Sequence, residues 1–203
     1  QRENLVETKS EAEIHDIVQR VLKRYAGSLA TDVPSADNSP DLSISQADFK
    51  TAERKVVAIG ADHGGYEMKE ALKPAIVELG CEIVDVGTNS KDAVDYPDFA
   101  HAVASMVGSG KAWRGIMIDG AGIGSCMVAN KIPGVRAGMA YDISSASNGR
   151  EHNDANVLTL GAGLIGNNLA KQIVKTWLTT EFGRGRHAGH VNKIVEVEKK
   201  YLK

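Results

Sequence analysis

Two stretches share one layout: Lys55-Val-Val-Ala-Ile-Gly-Ala-Asp-His-Gly-Gly-Tyr66 and Gly115-Ile-Met-Ile-Asp-Gly-Ala-Gly-Ile-Gly124. Each is a short apolar run, then an aspartate, then a glycine turn. Runs this short, bounded by glycine, read as buried strands rather than helices. A helical pattern follows each, over 66–79 and from the glycine loop to Lys131. Between and after them the alternation continues, with strands at 82–86, 135–140 and 156–160 and helices at 97–107, 144–150, 164–179 and 188–201. Strands alternating with helices predict a parallel sheet with right-handed crossovers and helices on both faces. The expected fold is α/β, a Rossmann-like three-layer sandwich with a mainly parallel five-stranded sheet. Pro74 falls inside the first helix and is expected to kink or shorten it.

Upstream of Lys55 the text differs. Ile14, Ile17, Val18, Val21, Leu22 and Tyr25 form one apolar stripe at helical spacing, and Ser10 with Glu13 makes a capping box. Residues 1–25 are therefore read as an amphipathic helix segment, about 22 Å long over 11–25. Residues 26–54 are rich in Ser, Asp, Ala and Pro without an apolar period, and are read as a flexible linker reaching roughly 30 Å. Residues 55–203 remain as the globular domain.

A net charge of −2 with mixed signs argues against a nucleic-acid surface. The two cysteines, Cys81 and Cys126, make no disulfide framework, and a reducing cytoplasmic setting is expected. No apolar run approaches the ~20 residues of a membrane span. His187 and His190 are spaced like a metal pair but lack a further ligand nearby, so no metal is expected.

In an open α/β sheet, ligands bind where the carboxyl ends of the strands meet the loops. Those ends carry Asp62-His63-Gly64-Gly65, Asp119 with Gly120-Ala121-Gly122-Ile123-Gly124, and Tyr141-Asp142. By itself the second loop could serve a nucleotide, an oxyanion or only a tight strand-to-helix turn.

Seven segments decide between these: Gly60–Tyr66, Asp95-Tyr-Pro-Asp98, Gly120–Gly124, Ala129-Asn-Lys131, Gly134-Val-Arg-Ala137, Arg150-Glu-His-Asn-Asp-Ala-Asn-Val157 and Gly185-Arg-His187. In order and spacing they resemble the ribose-5-phosphate isomerase B family, which also includes the two subunits of galactose-6-phosphate isomerase. The resemblance implies aldose–ketose isomerisation of a sugar phosphate, ribose 5-phosphate to ribulose 5-phosphate or a relative, through an enediol and without cofactor. It implies a homodimer or dimer of dimers with the site at the interface. Asp62 and His152 would assist ring opening, with His152 from the partner subunit. The amides of Gly120, Ala121, Gly122, Ile123 and Gly124 would hold the enediolate. His63, Tyr96 and Asn153 would contact sugar and phosphate, and Arg186 would bind phosphate.

The chain departs from the family at the base. One subgroup has cysteine where Asp119 stands and another has glutamate where Ser125 stands, so Asp119 is the expected base, with Cys126 on another helix face. Its carboxyl would need partial desolvation to act near neutral pH. Asp119 also makes the segment similar to the A subunit of galactose-6-phosphate isomerase, which implies the alternative of a half-site or non-catalytic subunit. The family commonly has arginines where Gly163 and His190 stand; His190 is retained as a substrate contact, with Arg184, Arg136 or Arg150 to compensate. The N-terminal helix and linker resemble the encapsulation peptides of bacterial microcompartment cargo, which implies that residues 11–25 dock on a shell or cargo protein.

Overall fold

The computed structural model describes residues 55–201, so the helix expected within residues 1–25 and the linker of 26–54 lie outside the described residues. The order is β1 (Val56–Ala61), α1 (Tyr66–Glu78), β2 (Glu82–Asp85), α2 (Tyr96–Gly108), β3 (Arg114–Asp119), α3 (Ile123–Ala129), β4 (Ala137–Met139), α4 (Ile143–Glu151), β5 (Val157–Gly161), α5 (Asn167–Thr179) and α6 (Arg186–Tyr201). The strands form one sheet in the order β2-β1-β3-β5-β4, and every pairing is parallel. This is the expected three-layer α/β architecture.

Two-residue periodicity explains the layers. Val57, Ile59, Ala61, Ile116, Ile118, Leu158 and Leu160 face α1, α4 and α5, joining Leu72, Ile76, Ile173 and Trp177 in one core. The alternate positions Ala58, Met117 and Val157 face α2 and α3, packing with Ala100, Val103, Ala104 and Ala129. Both faces of β1, β3 and β5 are buried, which is why these strands read as continuous apolar runs.

The helix α1 runs unbroken through Pro74 and ends at Glu78, one residue short of the expected span. Pro74 faces solvent, where water can satisfy the carbonyl it leaves without a donor, while Leu72 and Ile76 anchor the opposite side in the core.

Arg114, at the start of β3, is buried between Trp113 and Trp177, its guanidinium carbon 3.9 and 5.2 Å from their ring centroids. It donates to the carbonyls of Trp177 (2.7 Å) and Leu178 (3.0 Å), capping the end of α5. Burial, and next the charge of Arg150, bring its pKa down to about 10, so it remains charged at neutral pH. Arg114→Ala is expected to destabilise the domain by about 3 kcal/mol, through orphaned carbonyls and a cavity between two indoles, as read by urea denaturation.

The last helix is packed differently. Only Val191 of α6 is buried, while Ile194, Val197 and Tyr201 are exposed. Glu198 accepts from the Gly134 amide at 2.9 Å.

Candidate active site

Asp62 and Asp119 directly follow the registered pair Ala61 and Ile118 at the carboxyl ends of β1 and β3. Adjacent parallel strands therefore deliver two buried carboxylates side by side to one edge. Asp62 Oδ1 accepts from the Gly65 amide at 2.9 Å. The Asp62 side chain closes the turn before α1 rather than acting as that helix's N-cap, which is Gly65.

Asp119 is only 5 % exposed and turned into its own loop. Its Oδ1 accepts from the amides of Ala121 (2.7 Å) and Gly122, and its Oδ2 from the amide (3.2 Å) and hydroxyl of Ser125. The Ala121 and Gly122 amides thus point inward, and neither is free to hold a substrate oxygen as the sequence reading had them. The amides of Ile123 and Gly124 open α3 and have no intrahelical acceptor, which leaves them available to an oxyanion. Gly122 sits at φ +77°, and a Cβ there would come within 2.9 Å of the Leu160 carbonyl carbon; only glycine fits this corner. Gly124 lies under Tyr96, whose ring atoms would stand 2.5–2.6 Å from a Cβ. Tyr96 at the start of α2 is thereby laid across the loop.

A buried charge pair supports that side of the edge. Lys69 is fully buried and its Nζ reaches both Asp85 oxygens (2.9 and 2.8 Å) and the Thr88 carbonyl (2.7 Å). Burial alone would raise the Asp85 carboxyl, but Lys69, Lys73 and the Gly87 amide outweigh it and hold it below the usual carboxylate range. The segment after β2 is fixed from there to Val94, whose backbone N and O both lie 3.2 Å from His63 Nδ1. Lys69 shares a helical face with Leu72 and Ile76, the signal that could have shown it as buried.

Four candidate residues stand elsewhere. His152 is the C-cap of α4 and Asn153 follows it, just before β5. Arg186 opens α6 with His190 one turn on, and the approach to α6 is tied to α4 by the Gly183 amide donating to the Glu151 carbonyl at 2.9 Å. These lie at the amino edge of the sheet. Asp119 is in register with Gly161, and β5 begins four residues earlier at Val157, so the strands alone separate the two edges by about 13 Å. One chain does not bring the two groups together.

The edges also differ in charge. The carboxyl edge carries Asp62, Asp92, Asp95, Asp119 and Asp142, with Lys91 paired to Glu67. The amino edge carries His152, Arg184, Arg186, His187 and His190 beside Glu151, Asp154 and Glu181, the aspartate being neutralised by two arginines. Arg136 and Arg150 both bind Asp154 at 2.9 Å, an ion pair that Arg184 does not share. Gly163 is on the carboxyl edge, its amide donating to the Gly120 carbonyl at 2.9 Å. Cys126 Sγ lies 3.5 Å from the Ala137 carbonyl, and burial pushes its thiol up, away from the reactive thiolate. No group of three or more potential metal ligands occurs among the described residues.

Residues 57–194 match the family model described as Ribose/Galactose Isomerase. The chain belongs to the ribose/galactose isomerase family. Among its relatives, ribose-5-phosphate isomerase B of Escherichia coli (strain K12) is 40 % identical, over 72 % of this chain and 98 % of that protein. D-erythrulose-4-phosphate isomerase of Pectobacterium atrosepticum is also 40 % identical, over 68 % of this chain and 91 % of that one. In structure, the domain matches ribose-5-phosphate isomerase B of Clostridium thermocellum with a TM-score of 0.70 and 49 % identity, covering 72 % of this chain and 99 % of that one. No helix among the described residues is long and apolar enough to cross a membrane.

Proposed function

We propose that the chain is an aldose–ketose isomerase interconverting ribose 5-phosphate and ribulose 5-phosphate, or a related sugar phosphate, through an enediol. One observation carries the reading: two carboxylates end paired strands beside a glycine loop whose helix-start amides face the same edge. Ring opening moves one proton onto the ring oxygen from His152 and one off the C1 hydroxyl onto Asp62. Asp119 then takes the C2 proton, and the electron pair forms C1=C2 while charge develops on O1. The amides of Ile123 and Gly124 stabilise that oxyanion. Transfer of the O2 proton to O1, and return of the carbon-bound proton from Asp119 to C1, complete the ketose. To act as base, Asp119 must give up a donor, and the rotatable Ser125 hydroxyl is the least costly to release.

His152, Asn153, Arg186 and His190 join this site only if a second copy brings its amino edge to the first copy's carboxyl edge. We therefore assign the working unit as a homodimer or a dimer of dimers. The acidic edge supplies the proton chemistry and the basic edge of the partner holds the phosphate.

The inward commitment of Asp119 favours one second reading: a half-site or non-catalytic subunit of a hetero-oligomer, similar to the A subunit of galactose-6-phosphate isomerase. The purified full chain, assayed alone on ribose 5-phosphate and on D-erythrulose 4-phosphate, separates the two. Turnover of either supports the isomerase; none, with activity appearing only beside a second chain, supports the half-site subunit.

We also propose that residues 11–25 address the enzyme to a bacterial microcompartment, placing it in the cytoplasm or within such a shell. Removing the residues before Lys55 is expected to preserve kcat and to abolish co-sedimentation with shell proteins. A fall in kcat with the fold intact would make that segment part of the catalytic unit instead.

A further inference from the structure

Three side chains surround the His152 ring. Asn148 Nδ2 lies 2.9 Å from its Nδ1. His187 of α6 stacks on its face, with centroids 4.2 Å apart and planes 7° from parallel. Glu151 Oε1 lies 4.0 Å from Nε2. Asn148 is itself oriented: Asn153 Nδ2 points at the Asn148 backbone oxygen (3.4 Å) and at its Oδ1 (3.5 Å). The amide oxygen of Asn148 is thus assigned toward Asn153 and its nitrogen toward His152. An amide nitrogen only donates, so Nδ1 of the neutral imidazole accepts and the proton sits on Nε2.

We propose that Asn148 and His187 are positioning residues for His152, Asn148 holding the Nε2–H tautomer and His187 fixing the plane of the ring. The proposal rests on the isomerase reading and gives His152 one direction of transfer. As the bond between C1 and the ring oxygen breaks, its electron pair goes to that oxygen, which takes the Nε2 proton and leaves an imidazolate that solvent water reprotonates. The C1 hydroxyl proton leaves to Asp62, and C1 becomes the aldehyde. The charged and titratable groups around the stacked pair are Glu151 on α4, beside His152, and Arg186 and His190 on α6, beside His187. Desolvation, and next the charges of His152 and Arg186, hold His187 below the ordinary histidine value, which suits a neutral stacking plate. In the sequence Asn148 carries no motif, and His187 stands only within Gly185-Arg-His187 and as one of a spaced histidine pair.

Imidazole nitrogen shifts of the full-length protein labelled with ¹⁵N-histidine test this, His152 being assigned from the signals lost in His152→Gln. Above its titration, His152 is expected to show a protonated Nε2 and a bare Nδ1. In Asn148→Asp the neighbour is a carboxylate, which only accepts. The pattern is expected to swap to Nδ1–H, the pH at which His152 loses its proton to rise, and kcat on ribose 5-phosphate to fall about tenfold or more. His187→Ala is expected to lower kcat and His187→Phe, which keeps a stacking plane, to restore most of it. A wild-type ring protonated on Nδ1, or an Asn148→Asp variant with unmoved nitrogen shifts and pH profile, would overturn the proposal. The shifts are read without substrate, so a chain that turns over no sugar phosphate contradicts the isomerase reading and leaves the tautomer assignment standing.

Discussion

Asp119→Asn is expected to lower kcat for isomerisation by about 10²–10⁴-fold, the range lost when a positioned general base is removed. Exchange of the substrate C2 proton with solvent should vanish in parallel. The asparagine also replaces one acceptor oxygen with a donor that faces the donors of Ala121, Gly122 or Ser125. Some loosening of the loop is therefore built into the variant, and a companion is needed. Ser125→Ala removes the hydroxyl that occupies Oδ2 and leaves the backbone donors in place. With Asp119 as base, Ser125→Ala keeps C2 exchange, because the carboxylate gains a free lone pair. With Asp119 only as an anchor, both variants lose rate in proportion to their loss of thermal stability. Retention of more than about a tenth of the rate in Asp119→Asn contradicts the assignment.

His152→Ala carries the second large expectation, and its size depends on the substrate. A pentose 5-phosphate closes into a furanose that must be opened before C2 can be deprotonated. A four-carbon sugar phosphorylated at O4 has no hydroxyl left to close that ring. Loss of the imidazole is therefore expected to cost about 10²-fold or more on ribose 5-phosphate and far less on D-erythrulose 4-phosphate. Equal losses on both would move His152 from ring opening to the isomerisation step or to phosphate binding.

The fold was legible because its strands are buried on both faces: Val56–Ala61 and Arg114–Asp119 are apolar runs too short to be helices. Element ends moved by one to three residues, and Pro74 proved compatible with α1, since its orientation to solvent is set by packing that no local pattern encodes. Of the candidate site, the placement of Asp62, His63 and Asp119 at strand carboxyl ends could be read, since Asp119 closes β3 and Asp62 and His63 follow β1. What Asp119 binds could not be read, since the donors that satisfy it depend on the exact path of the loop. The Asn148–His152–His187 arrangement was hidden for another reason. It joins α4 to α6 across 39 positions of sequence, where Gly183 bonds Glu151 and Arg150 bonds the Thr180 carbonyl. The burial of Lys69 could be read from its helical spacing to Leu72 and Ile76, but its partners Asp85 and Thr88 could not.

The division of the candidate residues between two edges makes the central claim physical: the catalytic unit takes Asp119 from one chain and His152 from another. Subunit complementation tests it most directly. Asp119→Asn and His152→Ala chains, produced together under two different affinity tags, give mixed dimers that can be isolated by sequential capture. In each, one site holds both substitutions and the other holds neither, so activity on ribose 5-phosphate should return to about half that of the wild-type dimer although each parent variant is inactive. Mixed dimers as inactive as their parents would contradict a site shared between chains.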